Sequence, residues 1–145
     1  MTEQVFPYAN IVVGVLILII GFMLHWVAQL ISVINWDFAA RIGIVDKNII
    51  PEFKVYERGS ALADSMIAWI YGVAAVGLIL NVQWAYKLAW FPGVIFVYHG
   101  LSFWFWVGEQ NKAGHPTNSN GMRIGWTLAN LVIGILTILM AWMAS

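Results

Sequence analysis

Cysteine is absent from this 145-residue chain, and charged residues are scarce. Without cysteine, the chain can form neither disulfides nor thiolate metal sites, and it offers no cysteine nucleophile. Charged residues make up 10% of the sequence and hydrophobic residues 61%, which would leave a water-soluble domain with too little polar surface. The composition therefore predicts an integral membrane protein with the lipid bilayer as its surroundings.

The chain also lacks an excess of charge of either sign, because its formal net charge is zero. Proteins that bind DNA or RNA need a basic surface that displaces counterions from the phosphates. We therefore expect no nucleic-acid partner.

Four apolar stretches dominate what is present. They cover about 10–34, 60–80, 88–107 and 122–143, and each is close to the roughly 20 residues that cross a bilayer core as a helix. No internal repeat or second domain is apparent, so we expect a single domain over residues 1–145. The sequence predicts an all-α fold, an integral membrane up-down four-helix bundle.

Basic residues are distributed unevenly between the connecting loops. Lys and Arg hold their loops on the cytoplasmic side of a membrane. Six of the seven lie in or beside the loops 35–59 and 108–121, and the opposite side has only Lys87. We therefore predict that these two loops are cytoplasmic and that both termini lie outside. The six residues are Arg41, Lys47, Lys54, Arg58, Lys112 and Arg123.

Each apolar stretch carries small and polar residues along one helical seam. Spacings that alternate between three and four are typical of left-handed helix packing, so we expect the four seams to face one bundle axis. In chain order the seams are Gly14, Gly21, His25, Ala28, Ser32 and Asn35; Glu57, Ala61, Asp64, Ala68, Tyr71 and Ala75; His99, Ser102, Trp106 and Glu109; and Arg123, Thr127, Asn130, Gly134, Thr137 and Ala141.

Polar side chains on these seams lie at similar depths. At 1.5 Å per residue, His25, His99 and Asn130 lie roughly 12–14 Å from the inner ends of their spans, and Asp64 lies about 6–7 Å in. Ionisable side chains inside a membrane are costly and commonly mark a functional site. We therefore predict a polar pocket in the inner leaflet that opens toward the cytoplasm.

The expected guest of this pocket is a lipid-like small molecule, a pigment or a proton. In an enzyme, His25 or His99 would act as general base and Asp64 as its orienting or acid partner. Whether the chain is an enzyme stays open at this point. The other candidate ligand-binding residues are Glu57, Tyr71, Ser102, Glu109, Asn130 and Arg123.

Other interpretations of the same residues are also open. A haem held by His25 and His99 from opposing helices is conceivable, because neutral imidazoles can bind haem iron from both sides. Structural roles are an Asp64–Arg123 ion pair and an interhelical hydrogen bond from Asn130. Nine tryptophans in a thin bundle would also suit a purely structural accessory subunit of a larger membrane complex. A homo-oligomer is the other expected assembly.

The layout resembles one known family. Four spans, a long basic first inner loop, a charged start to the second span and a polar second inner loop are similar to the membrane-associated eicosanoid and glutathione metabolism family. The likeness is architectural and covers the whole chain. In that family an arginine-rich run enters the second span and an arginine lies in the third, and the corresponding stretches here are 57–64 and 96–99. The resemblance implies a trimeric transferase or isomerase that uses glutathione.

Overall fold

The computed structural model describes residues 6–47, 49–116 and 118–144. The regular structure in these ranges is helical, which confirms the predicted all-α class. Numbered here in chain order, the helices are α1 (Ala9–Ile34), α2 (Trp36–Arg41), α3 (Pro51–Ile67), α4 (Ile70–Ile79), α5 (Gln83–Leu88), α6 (Trp90–Lys112) and α7 (Asn120–Met143).

Among the described residues, three helical segments are long and apolar enough to cross a membrane: Ala9–Ile34, Gln83–Lys112 and Asn120–Met143. Helices α3 and α4 meet the same condition only as a pair, and they are bent by 43° where they join. The sequence predicts one helix over 60–80, whereas the structure divides this region at Ala68 and Trp69. The number of candidate spans is therefore three, or four if the bent pair forms one broken span.

Local sequence signals explain where several helices begin. The Asn35 side chain accepts a hydrogen bond of 3.0 Å from the backbone N–H of Phe38 at the start of α2. Ser119 caps α7 in the same way, with its Oγ 3.1 Å from the backbone nitrogen of Met122. Pro51 opens α3, where its ring fits the first turn and no N–H is needed. These caps separate the long helices from the loops between them.

The middle of α1, Ile17–Val27, is a π-helix with backbone hydrogen bonds from residue i to residue i+5. Its buried residues are Ile17, Gly21 and His25, at a constant spacing of four. The wider turn keeps residues four apart on one face. The regular alternation of three and four that the sequence predicts for this span is therefore replaced by a four-residue repeat at the level of His25.

The long helices pack through the small residues of their seams. Helix α6 packs along α7, and α1 packs against α3, α4 and α7. A Cβ atom on Gly134 would lie 2.9 Å from the backbone oxygen of Gly93, which shows how closely α6 and α7 approach. Five of the six residues on the seam of the last span are buried: Thr127, Asn130, Gly134, Thr137 and Ala141.

Large apolar side chains also cover the outside of the helices. Ile19, Val94 and Leu128, on three different long helices, are each about half exposed. A soluble monomer rarely exposes apolar surface on every side. The exposed faces are therefore suited to contact with lipid chains, while polar residues such as His25, Asn130 and Thr137 are buried.

Candidate functional site

The innermost polar contact joins α1 and α7. His25 Nε2 lies 2.9 Å from the side-chain oxygen of Asn130. Asn130 Nδ2 donates to the backbone oxygen of Trp126 at 2.9 Å, and this bond turns the amide oxygen toward His25. Because that oxygen can only accept, the proton is assigned to Nε2 of His25, which donates it. His25 is 5% exposed and Asn130 is fully buried.

His99 of α6 continues the polar contacts away from Asn130. Its ring meets that of His25 edge to face, with the two centroids 4.7 Å apart. On its other side, His99 Nε2 lies 3.7 Å from a carboxylate oxygen of Asp64. This distance exceeds the roughly 2.7–3.2 Å of a hydrogen bond. Asp64 and His99 are therefore in electrostatic contact without a direct hydrogen bond.

Asp64 is positioned by the end of α3. The last carbonyl groups of a helix have no partner within it. The indole N–H of Trp26 donates to the backbone oxygen of Ser65 at 3.0 Å and so fixes this end of α3 against α1. Asp64, one residue before Ser65, lies on this anchored end of α3, and its carboxylate faces His99.

Burial increases along the series of contacts. The side chains of Asp64 and His99 are 20% and 17% exposed. His25 and Asn130 are buried. We refer to these four residues as the His25 cluster. The cluster is partly accessible at Asp64 and His99 and closed at its Asn130 end.

Aromatic rings surround His25. The ring centroids of Tyr71, Phe96 and Trp126 lie 6.1, 5.7 and 5.2 Å from that of His25. Gly21 provides the space for Tyr71, since a Cβ atom there would lie 2.5 Å from the Tyr71 ring. The Tyr71 hydroxyl is buried and has no hydrogen-bond partner within the described ranges. Sequence reasoning did not single out Phe96 as a neighbour of this site.

The signal for the missed aromatic residues was present but weak. Phe96 precedes His99 by about one turn, and Trp126 precedes Asn130 by one turn, so each shares a helix face with a polar cluster residue. Trp126 also lies near the predicted inner membrane boundary, where tryptophans are common for reasons unrelated to a site. In a sequence with 15% aromatic residues, this spacing alone does not distinguish a site residue from a packing residue.

Two of the predicted candidates lie in other contacts. Glu109 pairs with Lys112 at 2.6 Å, and both side chains are exposed. Arg123 stacks over the ring of Trp104 at 3.9 Å and donates to the Trp104 backbone oxygen at 3.0 Å. The considered ion pair between Asp64 and Arg123 is therefore not formed. The partner of the Arg123 guanidinium is the Trp104 ring, and the nearest charge partner of Asp64 is the imidazole of His99.

Glu57 also lies apart from the His25 cluster. It lines a cavity of about 230 Å³ that is formed by the loop before α3, by α3 and α6, and by the loop before α7. Ser102 is half-buried on α6, between His99 and the cavity residue Trp106 in sequence. The polar residues that the sequence predicts in one pocket thus lie in two places, a compact inner cluster around His25 and a separate cavity beside Glu57.

The two histidines do not have the arrangement that a shared haem requires. A haem iron with two histidine ligands is approached from opposite faces of the macrocycle. Here the rings contact each other edge to face, and His25 Nε2 is bonded to Asn130. Over the ranges that the structure describes, no group of three or more His, Asp or Glu side chains is arranged to hold a metal ion.

The chemistry of the His25 cluster follows from its functional groups. A carboxylate and two imidazoles can each gain or lose a proton, whereas the Asn130 amide can only hold a hydrogen bond. The geometry therefore suits proton binding better than the enclosure of a bulky guest. Comparison with known proteins adds no constraint: no family model, no curated protein and no solved structure matches this chain.

Proposed function

We propose that this chain is an integral membrane protein whose helices enclose a proton-binding site formed by Asp64, His99 and His25. The observation that carries the proposal is the continuous series of contacts from Asp64 through both imidazoles to Asn130, with one residue from each of α3, α6, α1 and α7. Of the guests considered from the sequence, a proton is the one that side chains in direct contact can accept without separating.

The proposed path has one entrance. Asp64 and His99 are the accessible members, so a proton enters at this pair and passes between the two groups after a small side-chain movement or through a bridging water. His25 already holds a proton on Nε2, which leaves Nδ1 as its acceptor. Asn130 cannot pass a proton onward. The site therefore holds a proton at a closed end and does not conduct it across the membrane.

The proposed topology is the up-down four-helix bundle predicted from the sequence, with left-handed packing and both termini outside. The contacts of α1 with α3, α4 and α7, and of α6 with α7, support this arrangement. The excess of basic residues in the loops 35–59 and 108–121 supports the orientation. In it, the accessible end of the site faces the cytoplasm.

The test is an NMR titration of protein labelled with ¹⁵N at histidine, in detergent micelles, from about pH 4 to 9, which spans the usual imidazole range. We expect Asp64→Asn to lower the proton occupancy of His99 at a given pH, because the imidazolium loses its carboxylate partner. The occupancy of His25 should change with it, since the rings are in contact. Exposed His115 serves as an internal reference.

Glu109→Gln is the matched control, because it removes a carboxylate that pairs with Lys112 at the surface. It should leave the titration of His25 and His99 unchanged. The proposal fails if neither imidazole gains a proton over this range. It also fails if Asp64→Asn lowers thermal stability but leaves both titrations as they were, because the cluster is then a structural clamp.

A further inference from the structure

The cavity beside Glu57 is the second place where ionisable side chains are brought together. Its volume is about 230 Å³, and its lining residues come from two loops and two helices. Asp46 lies on the loop before α3, Glu57 on α3, and Phe103 and Trp106 on α6. The cavity is thus lined by acidic and aromatic side chains, whereas the His25 cluster combines a carboxylate with two imidazoles and an amide.

Two carboxyl groups contribute the charge of the cavity. Asp46 and Glu57 both line it and interact electrostatically. The Oε2 atom of Glu57 is buried and has no hydrogen-bond partner within the described part of the chain. No lysine or arginine is among the residues that line the cavity. A buried carboxylate oxygen is costly unless a positive group or a donor compensates it.

Two basic side chains that do not line the cavity contact aromatic rings. Lys54 lies over Trp36 at 5.1 Å, and Arg123 lies over Trp104 at 3.9 Å. Aromatic faces attract cations through the ring quadrupole, so both contacts favour these positions. In the cavity, by contrast, an aromatic wall and the carboxyl groups occur together without a basic side chain in the lining.

We propose that this cavity binds a small organic cation with an alkylammonium head group, between the carboxyl group of Glu57 and the ring of Trp106. Carboxylates compensate the positive charge, and aromatic walls suit its methyl groups, as in sites that recognise quaternary ammonium ligands. A divalent metal ion would want more oxygen ligands than two carboxyl groups supply. The inference does not depend on proton binding at the His25 cluster.

The test is equilibrium dialysis of tetramethylammonium against the full chain in a maltoside detergent, which has no ammonium group. We expect saturable binding at about pH 8, above the usual range of carboxyl groups. Glu57→Gln should weaken binding about tenfold or more, because the cation loses its charge partner while the side chain keeps its shape. Trp106→Leu should weaken it about fivefold.

Two variants protect the test against misfolding. Trp106→Phe keeps an aromatic face and should retain most of the affinity even if the leucine variant does not fold. Glu109→Gln removes a surface carboxylate of α6 that pairs with Lys112 and should bind like the original chain. The proposal is overturned if the original chain shows no saturable binding, if Glu57→Gln binds equally well, or if equimolar Mg²⁺ displaces the ligand.

The same ammonium chemistry occurs in lipid head groups and in free amines, and lipid nanodiscs separate the two sources. Discs of phosphatidylcholine should reduce tetramethylammonium binding relative to discs of an uncharged glycolipid, which adds no surface charge, if a lipid head group is the natural ligand. Equal binding in both discs assigns the site to a free cation. In either case Glu57→Gln must weaken the binding for the proposal to stand.

Discussion

The His25 cluster and the cavity beside Glu57 both bring ionisable side chains close to aromatic rings, but their packing differs. In the cluster, His25 and Asn130 are buried in direct contact, and both polar atoms of the Asn130 amide have partners. At the cavity, Glu57 lines the open volume, and its Oε2 atom is buried without a hydrogen-bond partner among the described residues. The cluster is built on long helices, whereas loops supply part of the cavity wall. Added side-chain volume should therefore lower stability at the cluster, whereas a change of charge should alter ligand binding at the cavity.

The largest expected effect is at Gly21, where the cluster leaves no space for a side chain. A Cβ atom there would lie 2.5 Å from the Tyr71 ring and 3.0 Å from the Phe96 ring. We expect Gly21→Ala to lower the free energy of unfolding by about 2–3 kcal/mol, because the buried rings must shift. Thermal unfolding in detergent measures it.

Gly125→Ala is the control for this change, since a Cβ atom there meets nothing within 4 Å. It should not lower the unfolding midpoint. Equal effects of the two variants would contradict the close packing of Tyr71 on α1 and, with it, the contrast between cluster and cavity.

A smaller loss is expected when the hydrogen bond at the closed end of the cluster is removed. Asn130→Leu keeps the approximate volume but leaves the Nε2 proton of His25 without an acceptor in a buried position. We expect a loss of about 1–2 kcal/mol in unfolding free energy, since an unsatisfied buried donor keeps its full desolvation cost. Chemical unfolding followed by circular dichroism provides the measurement.

Thr137→Val on the same helix is the comparison for Asn130→Leu. Thr137 is also buried, but its hydroxyl donates to the Ile133 backbone oxygen within α7. Thr137→Val removes the hydroxyl donor itself, so it should lower the free energy of unfolding less than Asn130→Leu, which leaves the His25 donor without a partner. If Thr137→Val proves as destabilising as Asn130→Leu, the His25–Asn130 bond between α1 and α7 contributes no more to stability than a bond within one helix.

The sequence was sufficient for the features that depend on helix periodicity and depth. Hydropathy gave the apolar stretches, and residue counting placed His25, His99 and Asn130 at one level. The structure brings these three residues together, with Asp64 beside His99. Their common depth was informative because a rise of 1.5 Å per residue turns position in the sequence into position along a helix.

The remaining features depend on tertiary packing and carry no local signal. The break between α3 and α4 falls at Ala68 and Trp69, with neither proline nor glycine at the junction. The π-helical part of α1 likewise contains no proline. The sequence alone allows Arg123 to pair with an acid or with an aromatic ring. In the structure its partner is the ring of Trp104.

The smallest expected effect has the opposite sign and lies on the cavity side. Gly59 is exposed on α3, two residues after Glu57, and a Cβ atom there would meet nothing within 4 Å. Alanine restricts the unfolded chain and favours the helix, so Gly59→Ala should raise the free energy of unfolding by about 0.5–1 kcal/mol. Thermal unfolding of Gly59→Ala and Gly21→Ala shows whether the two substitutions change stability in opposite directions. The tetramethylammonium affinity of Gly59→Ala should stay unchanged because no atom that lines the cavity moves. A destabilised Gly59→Ala would mean that this face of α3 is packed against a neighbour, and the distinction between a volume-sensitive cluster and a charge-sensitive cavity would then fail.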